Sequence, residues 1–445
     1  MKNKFPKLYF SFNNPWHCFY IAFLISIIIR LIVISLSNSA ELGWDENLYL
    51  KHTNALLDFF SNREVALFYN NYFMKNEYLV RYFPPASPLS YAFFGSLFND
   101  PILGARIYNS LMISVGIAST TTIFWLLSKQ RLLTYFIIGI SNFSLTHNAY
   151  SIFMWVEGAQ FALVSFIIYV SLIGQLNVKK QLFIAISLAW LNLTHASSLL
   201  FTIPIIGYLI IFRLHDSIRN KILATIVLFL PSIFVIFLWG QIAKPAIGEF
   251  VILSSEAIPM KSLMNPPSSY KDTWTSINRL SQQENLSLSA ASSTIAFNYI
   301  SQMGIPSLIE RGFKSLKSAL RPDGFPERHF KNGKWPFLSR STFDMMNSIH
   351  KALYFIIYFG LALYLFNNSS SPTSVLIGSI FALKVASTFF TGIGLTRYFT
   401  SFYMIVFPFA IYAIISTSQD FLKKEFTLST INRIAWSIFF GMYAI

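Results

Sequence analysis

The 445-residue sequence is poor in cysteine and in charged residues, and each shortage excludes a class of protein. Its one cysteine, Cys18, rules out an intrachain disulfide and any metal site built from several cysteines. Only 12% of the residues are charged, whereas a soluble globular protein carries about a quarter. Acidic residues are the scarcer kind, with 19 Asp and Glu against 34 Lys and Arg.

Apolar and aromatic residues fill the chain instead. Hydrophobic residues make up 54% of it, with 46 Phe and 22 Tyr, and the mean hydropathy is +0.51. This composition places the chain in the membrane class. The net charge of +15 then indicates cation-rich cytoplasmic loops rather than nucleic-acid binding, and it also suits membrane lipid head groups or phosphate-bearing substrates.

About eleven apolar segments approach spanning length, which predicts an all-α polytopic membrane protein. The first follows a basic N-terminus and contains Arg30, so we expect a retained helix rather than a signal peptide. The stretch LNLTHASS predicts a turn after the fifth segment. The segments lie at 17–37, 103–127, 132–149, 156–174, 181–194, 197–213, 221–241, 351–367, 373–391, 397–416 and 431–445.

Two long stretches, 38–102 and 242–350, interrupt these segments. They divide the chain into an N-terminal transmembrane module (1–241), a large loop (242–350) and C-terminal helices (351–445). With a cytoplasmic N-terminus in an inner or plasma membrane, both long loops lie outside, and helical periodicity is expected over 276–320. The short cytoplasmic loops then hold Lys129, Arg131, Lys179, Lys180, Arg213, Arg219, Lys221, Lys423, Lys424 and Arg433, as the positive-inside rule requires.

The stretch ELGWDENLYL, residues 41–50, holds the most informative side chains. Asp45 and Glu46 follow the first apolar segment, and Tyr49 lies one helical turn beyond Asp45. Carboxylates at a membrane boundary are costly and often functional, so the pair predicts a catalytic site. Adjacent helical residues project about 100° apart, so one acid would serve as base while the other orients or binds. Alternatively, both are first-turn acids favoured by the dipole of a helix over 45–60.

Four other polar residues stand at predicted outer helix ends, where they could bind substrate. Arg81 precedes a double proline, Arg106 begins the second segment, Glu157 the fourth, and His195 follows the fifth. Each also has a plainer interpretation: Arg81 as a residue before a simple helix start with proline in its first turn, Arg106 as a head-group anchor, Glu157 as a solvated carboxylate, and the histidine as a hydrogen-bonded packing residue.

Arg397 and Tyr398 open the tenth segment on the predicted outer side. The positive-inside rule disfavours an arginine there, so an anionic substrate group is the expected cause. A guanidinium suits bidentate contact with phosphate. No metal-ligand cluster is evident; a divalent ion would need the fold to bring Asp45 together with Glu157 or His195.

The order of these landmarks resembles that of the GT-C class of integral-membrane glycosyltransferases. It is most similar to the branch of protein O-mannosyltransferases and lipid A aminoarabinose transferases. The resemblance rests on WDENLY at 44–49, FPPASPLSYAFFGSLF at 83–98, GARIYNSLM at 104–112 and RYFTSFYMIVFP at 397–408.

The resemblance implies transfer of a sugar from a polyprenyl-phosphate donor to an acceptor (a lipid, glycan or protein) in the cell envelope. It implies Asp45 as the catalytic or acceptor-orienting acid, and Arg397 with Arg81 as ligands of the carrier phosphate. The sequence departs from the family pattern because its large loop falls in mid-chain.

Other functions compete with this hypothesis. A glycan polymerase or ligase, such as an O-antigen enzyme, shares the many spans and the large outer loop. A transporter or lipid flippase would place charges deep in its spans, where Arg30 and Lys384 lie. A polytopic scaffold without chemistry would leave the edge carboxylates unexplained.

Overall fold

The computed structural model describes residues 14–37, 42–62, 84–214, 217–247, 250, 252, 270–391, 396–422 and 432–438. Within these ranges the chain forms helices joined by turns, and no strand occurs. Several of the helices are long and apolar enough to cross a membrane. The prediction of an all-α polytopic membrane protein is confirmed at that level.

Seventeen α-helices are numbered below along the described part of the chain. The N-terminal half contains α1 (Pro15–Leu36), α2 (Trp44–Asn62), α3 (Ala86–Phe98), α4 (Pro101–Ser128), α5 (Arg131–Phe143), α6 (Leu145–Ile152), α7 (Glu157–Leu172), α8 (Val178–Thr194), α9 (Leu199–Tyr208) and α10 (Ile218–Ile247). The C-terminal half contains α11 (Tyr270–Glu284), α12 (Leu288–Met303), α13 (Ile305–Ala319), α14 (Phe325–Lys331), α15 (Arg340–Asn367), α16 (Pro372–Thr391) and α17 (Arg397–Leu422).

Seven helical segments in the described ranges could span a membrane, or eight if the bent pair α6–α7 forms one span. The predicted count of about eleven is therefore not confirmed. The segment predicted at 132–149 is broken, because α5 ends at Phe143 and α6 starts at Leu145. Helix α8 has 17 residues, at the lower limit for a span. Only 432–438 of the last predicted segment are described, and they are helical.

The loops contain the helices that periodicity predicts. The helix expected at 45–60 is α2, and the region 276–320 forms parts of α11, α12 and α13. The turn predicted after the fifth segment is present, since α8 ends at Thr194 and a short 3₁₀ turn follows. The division into three regions and the side of the membrane that each loop faces remain predictions.

Helix α4 lies at the centre of the packing, against α1, α3 and α7. The approach of α3 is close because Gly104 faces the backbone of Gly95, leaving no room for a Cβ. On the other side of the molecule, Gly360 of α15 meets the backbone of Ala410 in α17 in the same way. Small residues at such crossings are typical of membrane helices, which associate by close packing.

Arg30, a charge in the middle of α1, has a structural explanation. Its guanidinium is fully buried and donates to the carbonyl oxygens of Asn142 and Ser141, at 3.3 and 3.4 Å, and to the side chain of Asn148. These carbonyls stand at the end of α5, where the helix supplies no further N–H partner. The arginine therefore stabilises the break between α5 and α6.

Candidate functional site

The centre of the site is a non-helical stretch, residues 153–156, between α6 and α7. The two helices meet there at a bend of 116°. Backbone groups exposed by such a break must find other partners, because lipid offers none. The hydroxyl of Tyr91 donates to the carbonyl of Trp155 at 3.2 Å, and the side-chain amide of Asn109 donates to the carbonyl of Phe153.

Glu46 supplies the third contact to this break. Its Oε1 accepts from the backbone N–H of Met154 at 3.3 Å, and its Oε2 accepts from the N–H of Gly43 at 2.8 Å. Gly43 precedes the first turn of α2, so Glu46 caps its own helix as the third residue of a capping box does. The interpretation of Glu46 as a first-turn acid is thus confirmed, although the contact to Met154 goes beyond it.

Lys334 completes the surroundings of Glu46. The Lys334 ammonium lies 3.0 Å from Oε2 and 3.3 Å from Oε1, and the two side chains are 0% and 1% exposed. The ammonium also stands 4.7 Å above the ring of Phe153. Burial lowers the pKa of Lys334, while the facing carboxylate of Glu46 opposes that shift. This buried ion pair joins α2, the break and the segment after α14.

Tyr49 and Arg106 lie close to the ion pair of Glu46 and Lys334. The Tyr49 ring is 6.2 Å from that of Tyr91, the residue whose hydroxyl holds the break. Arg106 is 5% exposed and within electrostatic range of Glu46. The structure therefore brings Glu46, Tyr49 and Arg106 together, with Arg106 inside the protein rather than on its surface.

A second ion pair begins at the other end of the break. Glu157 is the first residue of α7, a position where the helix dipole favours an acid. Its Oε1 lies 3.8 Å from Nε of Arg397, the first residue of α17. The Arg397 guanidinium also stands 5.1 Å from the ring centre of Trp155. Arg397 keeps 20% of its side chain exposed, whereas Glu157 is almost fully buried.

His195 and Lys384 lie near the ion pair of Glu157 and Arg397. Nδ1 of His195 is 2.8 Å from the hydroxyl of Ser197. Burial, with the nearby charges of Arg397 and Lys384, lowers the pKa of His195 to about 3, so the ring is neutral. The Lys384 ammonium lies 4.6 Å from the ring centre of Phe201 and interacts electrostatically with Glu157. The histidine therefore serves as a hydrogen-bonded neighbour of two cations.

Asp323 is a buried acid that the sequence analysis missed. Its Oδ2 accepts from the hydroxyl of Thr400 at 3.2 Å, and its Oδ1 accepts from the N–H of Phe325 at 3.0 Å. Its carbonyl oxygen lies 3.0 Å from Nε2 of His350. Burial raises the pKa of Asp323 to about 6, although the hydrogen bonds and the charge of Arg397 oppose the shift. The group therefore titrates close to neutral pH.

Sequence signals for Asp323 and Lys334 exist, but they indicate turns. Asp323 lies in RPDGFPERHF and Lys334 in KNGKWPF, both rich in glycine and proline. A charged residue beside bulky aromatics in a turn is the only hint of burial. The partner of Lys334 is 288 residues away, and no local pattern identifies it.

Three predicted site residues lie beyond this description. The backbone of Asp45 is in the first turn of α2 and that of Tyr398 in the first turn of α17, but their side chains are outside the described part. Arg81 is in the range 63–83, which is also outside it. Among the side chains that are described, no three of His, Cys, Asp and Glu are grouped as metal ligands.

Comparison with known proteins adds no assignment. No protein-family model matches the chain, and no curated protein matches its sequence. The resemblance to GT-C glycosyltransferases therefore depends on the motifs alone, and it enters below as a proposal.

Proposed function

We propose that the chain is a membrane glycosyltransferase that moves a sugar from a polyprenyl-phosphate donor to an acceptor. The observation that carries this proposal is the junction at the break between α6 and α7. There Glu46 of the first-loop helix and Glu157, paired with Arg397, lie at opposite ends of residues 153–156. Helix α2, which carries the acids, and the cation Arg397 thus both contact the short stretch around residues 153–157.

Asp45 is the proposed base. Its backbone immediately precedes Glu46, whose carboxylate is fixed by Gly43, Met154 and Lys334. Glu46 is then a positioning residue, since a fully buried carboxylate with an ammonium partner is poorly placed to take a proton from substrate. Rigid support of this kind is what a catalytic side chain requires.

The proposed reaction needs a base and an anion-stabilising group. The acceptor oxygen or nitrogen attacks the anomeric carbon, Asp45 takes the acceptor proton, and the carbon–oxygen bond to the phosphate breaks. The carrier phosphate leaves with the bonding electrons, and Arg397 stabilises its charge. Arg397 suits this role because it is the partly exposed member of its pair. Its Nε lies 3.8 Å from Oε1 of Glu157, which is longer than a hydrogen bond.

An apolar groove gives further support for a lipid-linked substrate. It has a volume of about 180 Å³ and lies between α5–α6 and α15. His350 forms part of its wall and connects it to Asp323 and Thr146. Its lining is mostly apolar and consists of Ile140, Phe143, Ser144, Leu145, Met346, Ile349, His350 and Leu353.

The decisive experiment is Asp45→Asn in the purified full chain, reconstituted in proteoliposomes. Polyprenyl-phosphate hexose and pentose donors are supplied together with envelope extract as the acceptor source, and release of polyprenyl phosphate is measured. Loss of general-base catalysis should lower the rate by about 10²–10⁴-fold. Asp58→Asn, an exposed acid on the same helix, is the matched control and should leave the rate unchanged. Near wild-type release by Asp45→Asn would remove the proposed base.

One observation favours a transporter or flippase as a second candidate. Lys384 is buried within the span α16 and interacts with Glu157, and such intramembrane charges often mark transport pathways. Lipid scrambling by the same proteoliposomes, without donor turnover, would favour that function. A glycan polymerase or ligase would instead depend on Arg397 and tolerate Asp45→Asn.

A further inference from the structure

Helix α13 carries an apolar stripe that the described part of the chain leaves open. The stripe consists of Ile305, Ile309 and Phe313, which are 72%, 45% and 48% exposed. Residues four apart lie on one face of a helix. The adjacent face of α13 is buried and presents Gly312, Ser315, Leu316 and Ala319.

The buried face fixes α13 to the end of a membrane span. Gly312 faces the ring of Phe389 so closely that a Cβ would not fit, and the Phe313 ring lies 5.6 Å from that of Phe389. Arg311 donates to the carbonyl of Thr391 at 3.4 Å. Thr391 is the last residue of α16, so α13 packs against the end of a candidate membrane span.

The apolar stripe continues onto the surface of the span. The ring of Phe390 lies 5.5 Å from that of Phe389 and is 73% exposed. Because α16 is a candidate span, we expect an exposed phenylalanine near its end to face lipid. Phe313, Phe389 and Phe390 thus connect the stripe to the lipid-facing surface.

Cations border the stripe. Lys314 and Lys317 are exposed on α13, and Arg321 is exposed just beyond its end. The one acid of the helix, Glu310, pairs with Lys314 at 2.7 Å. An apolar stripe bordered by Lys and Arg is the pattern of helices that lie in the membrane interface.

We infer that α13 lies in the membrane interface, with its stripe among acyl chains and its cations against the phosphates of anionic lipids. The continuity with α16 and the positive charge both select a bilayer over a protein as the occupant. This surface is independent of the proposed glycosyl transfer and would hold the segment before Asp323 at a fixed depth.

The test measures the depth of spin labels on the full chain in nanodiscs. Cys18 is buried, so a cysteine introduced by Ile309→Cys can be labelled selectively, with unsubstituted protein as the background. Ser307→Cys, an exposed position outside the stripe, is the matched control. We expect a several-fold higher ratio of oxygen to water-soluble nickel accessibility at position 309 than at 307. Ile305→Cys provides a second stripe position if the first variant fails to fold.

The lipid requirement is tested with the same label. Adding phosphatidylglycerol to phosphatidylcholine nanodiscs should deepen the label at 309, and Lys314→Gln with Lys317→Gln should abolish that shift. Equal nickel accessibility at 307 and 309 would overturn the inference. So would dipolar broadening between labelled copies, because it would show that a second chain covers the stripe. A shift that survives removal of both lysines would overturn the role given to anionic lipid.

Discussion

Two ion pairs flank the break between α6 and α7, and they differ in almost every physical respect. Glu46 and Lys334 are fully buried, 3.0 Å apart, and Glu46 accepts two backbone N–H groups in addition. Glu157 and Arg397 are 3.8 Å apart, and the arginine keeps 20% of its side chain exposed. Both pairs join segments distant in the sequence, but Lys334 follows α14 in a turn, whereas Glu157 and Arg397 are the first residues of two helices.

The difference in burial indicates that the first pair supports the structure, whereas a ligand could reach the second. A buried pair with additional hydrogen bonds is costly to break, because either partner left alone is an uncompensated charge. In the second pair the arginine is partly exposed and its Nε lies 3.8 Å from the carboxylate, so the guanidinium is the group that an anion from outside can approach. The buried pair of Glu46 and Lys334 is therefore suited to anchoring, and Arg397 is the member suited to the proposed binding of a ligand.

The largest expected effect is that of Lys334→Met. The substitution leaves the Glu46 carboxylate buried without its counter-ion, and loss of one partner of such a pair costs about 3–5 kcal/mol. A marked fall in the thermal unfolding temperature of the detergent-solubilised protein should result. The double variant Lys334→Met with Glu46→Gln should recover part of the loss, because it removes the buried charge, although the single glutamine oxygen can accept from only one of Gly43 and Met154.

The surface pair Glu310–Lys314 provides the control for this measurement. Its side chains are 67% and 76% exposed, so Glu310→Gln should change stability by less than about 1 kcal/mol. If Lys334→Met is as mild as Glu310→Gln, the buried pair is not an anchor and the contrast between the two regions fails.

A smaller effect should appear in the pH dependence of stability, through Asp323 beside the second region. Its pKa is about 6 in the folded chain and about 3.8 in the unfolded chain. The folded state therefore holds its proton more tightly, and stability should fall as pH rises from about 4 to 6. Each unit of pKa difference corresponds to about 1.4 kcal/mol.

Unfolding temperatures measured across this window will test the assignment. Asp323→Asn should flatten the dependence, whereas Asp344→Asn, which removes an exposed acid paired with Arg340, should leave it intact. An unchanged profile in Asp323→Asn would mean that another group titrates in the window.

The smallest stability effect is expected for Glu157→Gln. Glutamine fits the buried site of Glu157 without a charge, and Arg397 keeps 20% of its side chain exposed to water, so the loss should be smaller than that of Lys334→Met. Binding should change more, because the carboxylate of Glu157 no longer competes for Arg397. Stabilisation by farnesyl phosphate, measured as a shift in unfolding temperature, should be larger in the variant than in the wild type. A smaller shift would indicate that Glu157 helps to bind the ligand.

Local patterns in the sequence predicted the structure best. The helix after the first segment was predicted because Asp45 and Glu46 are first-turn acids, and α2 starts at Trp44. The helices of the large loop followed from their periodicity. The predicted number of spans is not confirmed, and two apolar segments are interrupted by local features. Helices end at Ser144 and at the stretch 153–156. Arg30, Asn109 and Tyr91 donate hydrogen bonds to the backbone carbonyls left without helical partners there.

The candidate site was only partly predictable, because local patterns identify polar residues at helix ends but not their distant partners. Glu46, Glu157, His195 and Arg397 were recognisable as polar residues at helix ends, and the structure brings them to one region. The roles proposed for them stay predictions. Asp323 and Lys334 were missed, because their significance comes from contacts with Thr400 and Glu46 rather than from their own surroundings in the sequence.

The sequence by itself determined the membrane class, the helical architecture and the starts of the loop helices, because hydropathy and helix periodicity are properties of short segments. Tertiary structure alone decided which charges are paired and which stay partly exposed. Glu46 meets Lys334 across 288 residues, and only the folded packing excludes water from that pair while leaving 20% of the Arg397 side chain exposed. Burial sets the cost of a charge, and burial is a property of the whole fold.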